Sequence, residues 1–333
     1  MAALLNPDST PAPLNSDWIK PATILFATEV PPNEKAFSFA LSQAREFGSQ
    51  LILLHVYDTL VVTGSDPSGI QYYDSAAAAR LEKQHLEPLA ERVREMRLNC
   101  EIVVRPGLPA DQILAFTRER KIDRIVMGTH SPGPIGKLLV GSVAEAVLRT
   151  ATVPVFIIGP EVVDGAYRNF ATRTILCAVS LHDASPVIAT FAAELAAQHN
   201  ACLILEHVIR PQDRAGFDRA DLLAGRPLDD LEARMLALVP RQLRGHIDVQ
   251  TIVVPGDPTE ELLYQSRAQQ ADLIVMGAQG ASAFAAITRR GVVYKTLAHA
   301  QCPVITLSPV VLEKCGSSAE QLQPAEAYLA GVF

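Results

Sequence analysis

Along the chain, short unbroken runs of apolar residues alternate with longer stretches whose apolar positions return every three or four residues. The runs Ile24–Thr28, Leu51–Val56, Ile102–Val104, Ile125–Met127 and Val155–Ile158 are rich in β-branched residues and predict strands buried on both faces. Between them, Glu34–Phe47, Ser75–Arg97, Ala110–Arg120 and Ser142–Arg149 carry helical spacing. Strict alternation of strand and helix predicts a parallel sheet covered on both faces. Right-handed crossovers make such a sheet open and doubly wound, with its ligand beyond the carboxyl ends of the strands where the winding reverses. A site is therefore expected after the first and fourth strands.

The same pattern then repeats. Val103-Val104-Arg105-Pro106-Gly107, Ile125-Val126-Met127-Gly128 and Val153-Pro154-Val155 return as Val253-Val254-Pro255-Gly256, Ile274-Val275-Met276-Gly277 and Cys302-Pro303-Val304. The pairs Gly107/Gly256, Gly128/Gly277 and Pro154/Pro303 share one spacing, 149 residues, which is the length of a whole domain. Upstream, Thr23-Ile24-Leu25-Phe26-Ala27 is echoed by Thr174-Ile175-Leu176-Cys177-Ala178, and His55-Val56 by His207-Val208. The expected fold is thus α/β, with two tandem doubly wound domains of five parallel strands each. The expected organisation is an N-terminal extension over 1–20, a first domain over 21–160, a linker over 161–172, a second domain over 173–310 and a C-terminal tail over 311–333.

Length agrees with this division, because single cores rarely grow past ~250–300 residues and the chain has 333. With 49% hydrophobic and 20% charged residues, there is material for two cores and a wetted surface. A net charge of −7 without any Lys/Arg block argues against nucleic acid as a partner. The five cysteines (Cys100, Cys177, Cys202, Cys302 and Cys315) fall singly, which fits reduced structural thiols in a cytoplasm rather than a metal site. No apolar segment reaches the ~20 residues that span a bilayer, and Met1–Lys20 lacks the pattern of an export signal, so neither membrane nor export is expected.

The most informative segment for chemistry follows the fourth strand. It runs from Gly128 through Thr129, His130, Ser131 and Lys137 to Gly141 and Ser142, where a helix begins. Glycines let main-chain amides approach an anion, and a helix start adds free N–H groups and a positive dipole end. Read from residues alone, the loop either cradles phosphate or merely ends a strand at Gly128 and caps a helix with Ser142.

Gly128-Thr129-His130, Leu138-Leu139-Val140-Gly141-Ser142-Val143-Ala144-Glu145 and Val153-Pro154-Val155 stand in the order and spacing of the universal stress proteins, which both repeats resemble over roughly residues 22–159 and 173–309. The resemblance implies a Rossmann-like fold of the adenine nucleotide α-hydrolase type. It also implies an ATP-binding loop of Gly, two residues, Gly, nine residues, then Gly with Ser or Thr. Gly128, Gly141 and Ser142 match that frame, while Ser131 stands where the family has its second glycine. By the same mapping Glu29 takes the place of the family's Asp after the first strand, and Ala27, Val56, Met127 and Val143 border the base, sugar and phosphates. As bare strand residues, Ala27, Val56 and Met127 read equally as core.

The second repeat keeps Gly277 and Gly280 but presents Ser180 for Glu29 and, at the constant offset, Arg290 and Gly291 for Gly141 and Ser142. With one extra loop residue, Gly291 takes the place of Gly141 and Val292 that of Ser142. A degenerate or differently liganded second pocket is expected. His182 and Asp183 read either as an acid/base pair or as a helix entry, and His55 and His207 as satisfied strand histidines. Three functions compete: a stress-response regulator binding ATP, with or without Mg2+, in the first domain; a scaffold that binds no nucleotide and pairs with an unknown protein partner; and a slow ATPase. The resemblance further implies that the last strands of the two domains, Val153–Ile158 and Val304–Leu307, pair within the chain as a pseudo-dimer, with a homodimer beyond that left open.

Overall fold

A computed structural model describes residues 14–57, 75–129, 140–163, 172–181, 184–210, 226–278 and 291–320. In the first half the elements are β1 (Thr23–Thr28), α1 (Glu34–Phe47), β2 (Gln50–Tyr57), α2 (Ser75–Glu95), β3 (Cys100–Pro106), α3 (Pro109–Glu119), β4 (Arg124–Gly128), α4 (Ser142–Thr150) and β5 (Val155–Ile158). The second half follows with β6 (Thr174–Ala178), α5 (Ser185–His199), β7 (Cys202–Ile209), α6 (Arg226–Ala237), the short α7 (Arg241–Arg244), β8 (Val249–Pro255), α8 (Pro258–Ala268), β9 (Leu273–Gly277), α9 (Val292–His299), β10 (Val304–Leu307) and α10 (Pro309–Glu320). Among the described residues, no helix is long and apolar enough to cross a membrane.

All ten strands join one sheet in the order β3-β2-β1-β4-β5-β10-β9-β6-β7-β8. Within each half every pairing is parallel, and the order 3-2-1-4-5 reverses its winding between the first and fourth strands. The halves meet antiparallel, Val304 opposite Ile157, Ile305 opposite Phe156 and Thr306 opposite Val155. This removes two apolar strand edges that would otherwise invite pairing with other chains.

One face of the sheet is covered by α1, α2, α5 and α6, which bring Phe37, Phe39, Leu86, Phe191 and Met235 onto Phe26, Phe156 and Ile305. The other is covered by α3, α4, α8 and α9, which bring Phe116, Val147, Leu262 and Leu297 onto Ile125, Ile157 and Val304. Local chemistry sets the helix limits. Asn33 caps α1 by accepting from Ala36 N at 3.0 Å, and Gly48 ends it in the left-handed region at φ 68. Asp257 caps α8 by accepting from Thr259 N at 2.9 Å and Glu260 N at 3.2 Å. The duplication extends to single bonds: Asp123 accepts from Ala22 N and Thr23 N, and Asp272 accepts from Arg173 N and Thr174 N, so the same carboxylate clamps the entry of β1 and of β6.

The described parts of the extension, the linker and the tail pack against the domains. Trp18 and Ile19 of the extension are buried, and their carbonyls accept from Arg124 Nε at 2.9 Å and Nη2 at 2.7 Å. Arg124 is 0% exposed, with Gln43 Oε1 2.6 Å from its Nη1 and its guanidinium 4.9 Å from the ring centroids of both Phe47 and Phe156. At the start of the linker Val162 is buried, Val163 N donates to Gln301 O at 3.0 Å, and Lys35 Nζ donates to Val162 O at 2.9 Å. Gly159 passes so close to the other half that a Cβ there would lie 2.3 Å from Leu297 O. The tail continues as α10, whose Val311 and Leu312 enter the core.

Candidate functional site

At the carboxyl ends of β1 and β4, where the winding reverses, a cavity of about 220 Å³ opens. Its lining includes eight of the nine residues singled out from the sequence: Ala27, Glu29, Val56, Met127, Gly128, Gly141, Ser142 and Val143. The ninth, Ser131, lies outside the described residues, as do His130, Lys137, His182 and Asp183. The volume sits just below the ~300 Å³ at which small-molecule pockets typically begin, so the cavity suits a small ligand rather than a peptide.

Each wall has a local cause. Ala27, one residue before the end of β1, has a side chain too small to fill the space, and Leu54, its register partner on β2, supplies an apolar floor with Ile113 and Met127. Glu29 follows β1 at the exposed rim, beyond which the Val30–Pro31 bond is cis. Gly128 ends β4 against Asn33, the residue that caps α1. A Cβ at Gly128 would lie 2.6 to 2.9 Å from the Asn33 side chain, so only glycine lets the end of β4 and the start of α1 close that side of the cavity.

The opposite wall is the first turn of α4. Its cap position belongs to Gly141, at φ −63 and ψ 153, and no side chain caps the helix. Of the two readings of this loop, the one in which Ser142 merely caps the helix does not hold: Ser142 is the first helical residue. Its hydroxyl and the amides of Ser142, Val143 and Ala144, which precede the first N–H of the helical ladder at Glu145, border the cavity without an intrahelical acceptor. Thr129 adds a second polar feature, being 4% exposed with an Oγ1 that has no hydrogen-bond partner among the described residues. A buried hydroxyl left unpaired costs free energy that a ligand's polar atom recovers. Thr28, Asn33, Leu54, Pro109 and Ile113 also line the cavity, brought in by proximity rather than by a motif, and Thr129 and Ala144 join them from within the quoted motifs without having been given a role there.

The second half departs at four of these places. Gly291 takes the cap position of α9, at φ −70 and ψ 160, so the extra loop residue is present and Val292 replaces Ser142 as the first helical residue. Ala278 stands for Thr129, Ser180 for Glu29, and Glu206 for Leu54. The strand histidines are alike in both halves: His55 Nδ1 lies 3.0 Å from Thr28 O, and His207 Nδ1 lies 2.9 Å from Val179 O. Among the described residues all five cysteines are free, and burial holds their thiols above the usual range. No described group of His, Cys, Asp and Glu is arranged to hold a metal ion.

The sequence model of the Universal stress protein family matches residues 22–159 and again 171–308, together most of the chain. The chain belongs to the universal stress protein family. A universal stress protein of Thermus aquaticus is 32% identical over 143 residues, 41% of this chain and 97% of its own length. One from Methanocaldococcus jannaschii is 27% identical over 124 residues, 37% of this chain and 73% of its own. Among solved structures, a universal stress protein of Archaeoglobus fulgidus superposes with a TM-score of 0.64 at 19% identity, covering 87% of this chain and 97% of that one. Its coverage shows that the two-domain universal stress protein fold extends over nearly the whole molecule.

Proposed function

We propose that the first half binds an adenine nucleotide, ATP by preference, and that the protein acts as a stress-response regulator rather than a dedicated enzyme. The observation that supports this most is the cavity at the switch point. It joins an apolar slot (Ala27, Leu54, Val56, Ile113, Met127) to a polar end made of the first turn of α4 and the partnerless Thr129 hydroxyl. An aromatic base with a phosphate tail is apolar at one end and anionic at the other, and the two ends of the cavity match it. Gly128, Gly141 and Ser142 would hold the phosphates, Val56 and Met127 the base, and Glu29 the ribose or a Mg2+ carried by the phosphates. Mg2+ binds through one or two carboxylates plus phosphate oxygens, so Glu29 suffices on the protein side without a preformed cage.

The test is calorimetric titration of the full chain with Mg-ATP and, separately, Mg-GTP. The proposal expects one saturable site for Mg-ATP, weakened at least tenfold by Gly141→Val, which puts a side chain over the amides of α4. Absence of saturable heat at millimolar Mg-ATP would leave the scaffold reading in its place, and phosphate release at steady state would move the protein into the ATPase class.

A further inference from the structure

Where the first cavity has the methyl groups of Leu54, the second half has a carboxyl group. The registers make the equivalence unambiguous. Leu54 pairs with Ala27 on one side and Val103 on the other, and Glu206 pairs with Ala178 and Ile252 in the same places of β6 and β8. Strand alternation puts Glu206 on the face of Ile204, the face covered by α8 and α9, as Leu54 shares the face of Ile52 with α3 and α4.

Glu206 is only 2% exposed, and among the described residues neither Oε1 nor Oε2 has a hydrogen-bond partner. Burial pushes its carboxyl up to about 8, and the neighbouring Glu261 of α8 pushes the same way. Glu261 leans over the end of β8, where a Cβ at Gly256 would lie 2.6 Å from its Oε1. Buried polar groups are almost always paired, and a buried carboxyl beside another carboxyl, with both oxygens idle, is the kind of exception that marks a ligand position. For filling space alone, the leucine of the first half does better.

We infer that the mouth of the second half takes a ligand presenting two parallel N–H donors to Glu206, either a guanidinium group or the N1–H and N2–H edge of guanine. The reasoning is stoichiometric. Two coplanar acceptors, both empty, are satisfied together by a planar fork of donors, whereas a single ammonium or hydroxyl leaves one oxygen orphaned. Phosphate is a poor guest here, because the neighbouring Glu261 charge repels it, as Glu206 does once ionised, and Val292 offers no hydroxyl where Ser142 stands in the first half. The inference concerns the second half alone and does not depend on what the first half binds.

Calorimetry on the full chain at neutral pH, with methylguanidinium chloride and guanosine as separate probes and adenosine as the counter-probe, tests it. Each titration is run in phosphate and in Tris, whose ionisation enthalpies differ. Glu206 enters protonated and is held as the carboxylate under the fork, so the O–H proton passes to the buffer and binding releases close to one proton per ligand. Saturable binding of methylguanidinium with that release assigns the guanidinium, and of guanosine the base edge. Glu206→Leu should abolish either signal while melting as one folded species. Glu206→Gln, which keeps the shape but replaces one acceptor by a donor, should weaken binding at least tenfold and remove the proton release. No saturable heat with either probe, or heat that survives both substitutions, overturns the inference; guanosine held by the first half would be of that second kind.

Discussion

Glu46 Oε1 lies 2.9 Å from His199 Nδ1, joining the last turn of α1 to the last turn of α5 across the seam between the two halves. The His199 side chain is 3% exposed and its ring meets Phe47 edge-on with centroids 6.0 Å apart. Removing one partner of a buried pair strands the other, which is costlier than the pair is worth. His199→Ala should therefore lower the unfolding free energy in urea by about 1–3 kcal/mol. A double-mutant cycle with Glu46→Gln should show a coupling of at least ~0.5 kcal/mol, and additive effects would mean that the contact does not hold the halves together.

Gly128 and Asn33 are coupled by space in the same way. In Gly128→Ala the new Cβ must displace the side chain that caps α1. We expect Mg-ATP affinity to fall at least tenfold, together with about 1 kcal/mol of stability, the usual worth of an N-cap. Adding Asn33→Gly removes every Asn33 side-chain atom in the way, its Cβ included, so the double variant should be no less stable than Asn33→Gly alone while nucleotide affinity partly returns. If Gly128→Ala binds like the wild type, the close approach at this corner is irrelevant to the ligand.

Much of this architecture is legible in the sequence because it is written as periodicity. Glu34–Phe47 and Val155–Ile158 appear as the pattern predicts, and the other elements of the first half differ by one or two residues at their ends. The recurring glycines locate the mouth of each half. Contacts that depend on chain segments meeting in space leave no such trace. Arg124, just before the run Ile125–Met127, is buried against two phenyl rings, which no periodicity marks. Thr129 reads as a loop residue, and only its partnerless oxygen beside the cavity marks it. Glu206 is visible in the sequence as a charge beside His207, but the pairing of β6, β7 and β8 is what shows that it replaces Leu54.

Arg124 itself gives a further test. Three directed N–H bonds tie Trp18 O, Ile19 O and Gln43 to one guanidinium, and burial lowers its pKa to about 9. Arg124→Lys retains the charge but not the planar fork. Both Arg124→Lys and Arg124→Met should release the segment over 14–20, seen as faster hydrogen exchange at the amides of Trp18, Ile19 and Lys20, with the lysine variant rescuing little. Unchanged exchange in the lysine variant would show that charge, not the fork, anchors the segment.

The carboxyl of Glu206 makes stability depend on pH in a direction opposite to that of an ordinary paired carboxylate. Its pKa is raised from 4.5 in the unfolded chain to about 8 in the folded one. Between those values the native state holds a proton that the unfolded state has lost, so stability falls as pH rises through the window. Below about 4.5 both states are protonated and Glu206 costs nothing beyond its burial; above about 8 both are ionised and the cost levels off. Glu206→Leu removes the linkage, so the stability difference between variant and wild type should widen by ~1.4 kcal/mol per pH unit across the window and stay flat outside it. Glu261→Gln takes away the like charge that contributes to the shift, and should move the upper end of the window down without closing it. Urea midpoints measured from acid to mildly alkaline pH decide the matter: a difference independent of pH would mean that Glu206 is ionised and solvated, and that β7 does not carry a buried acid.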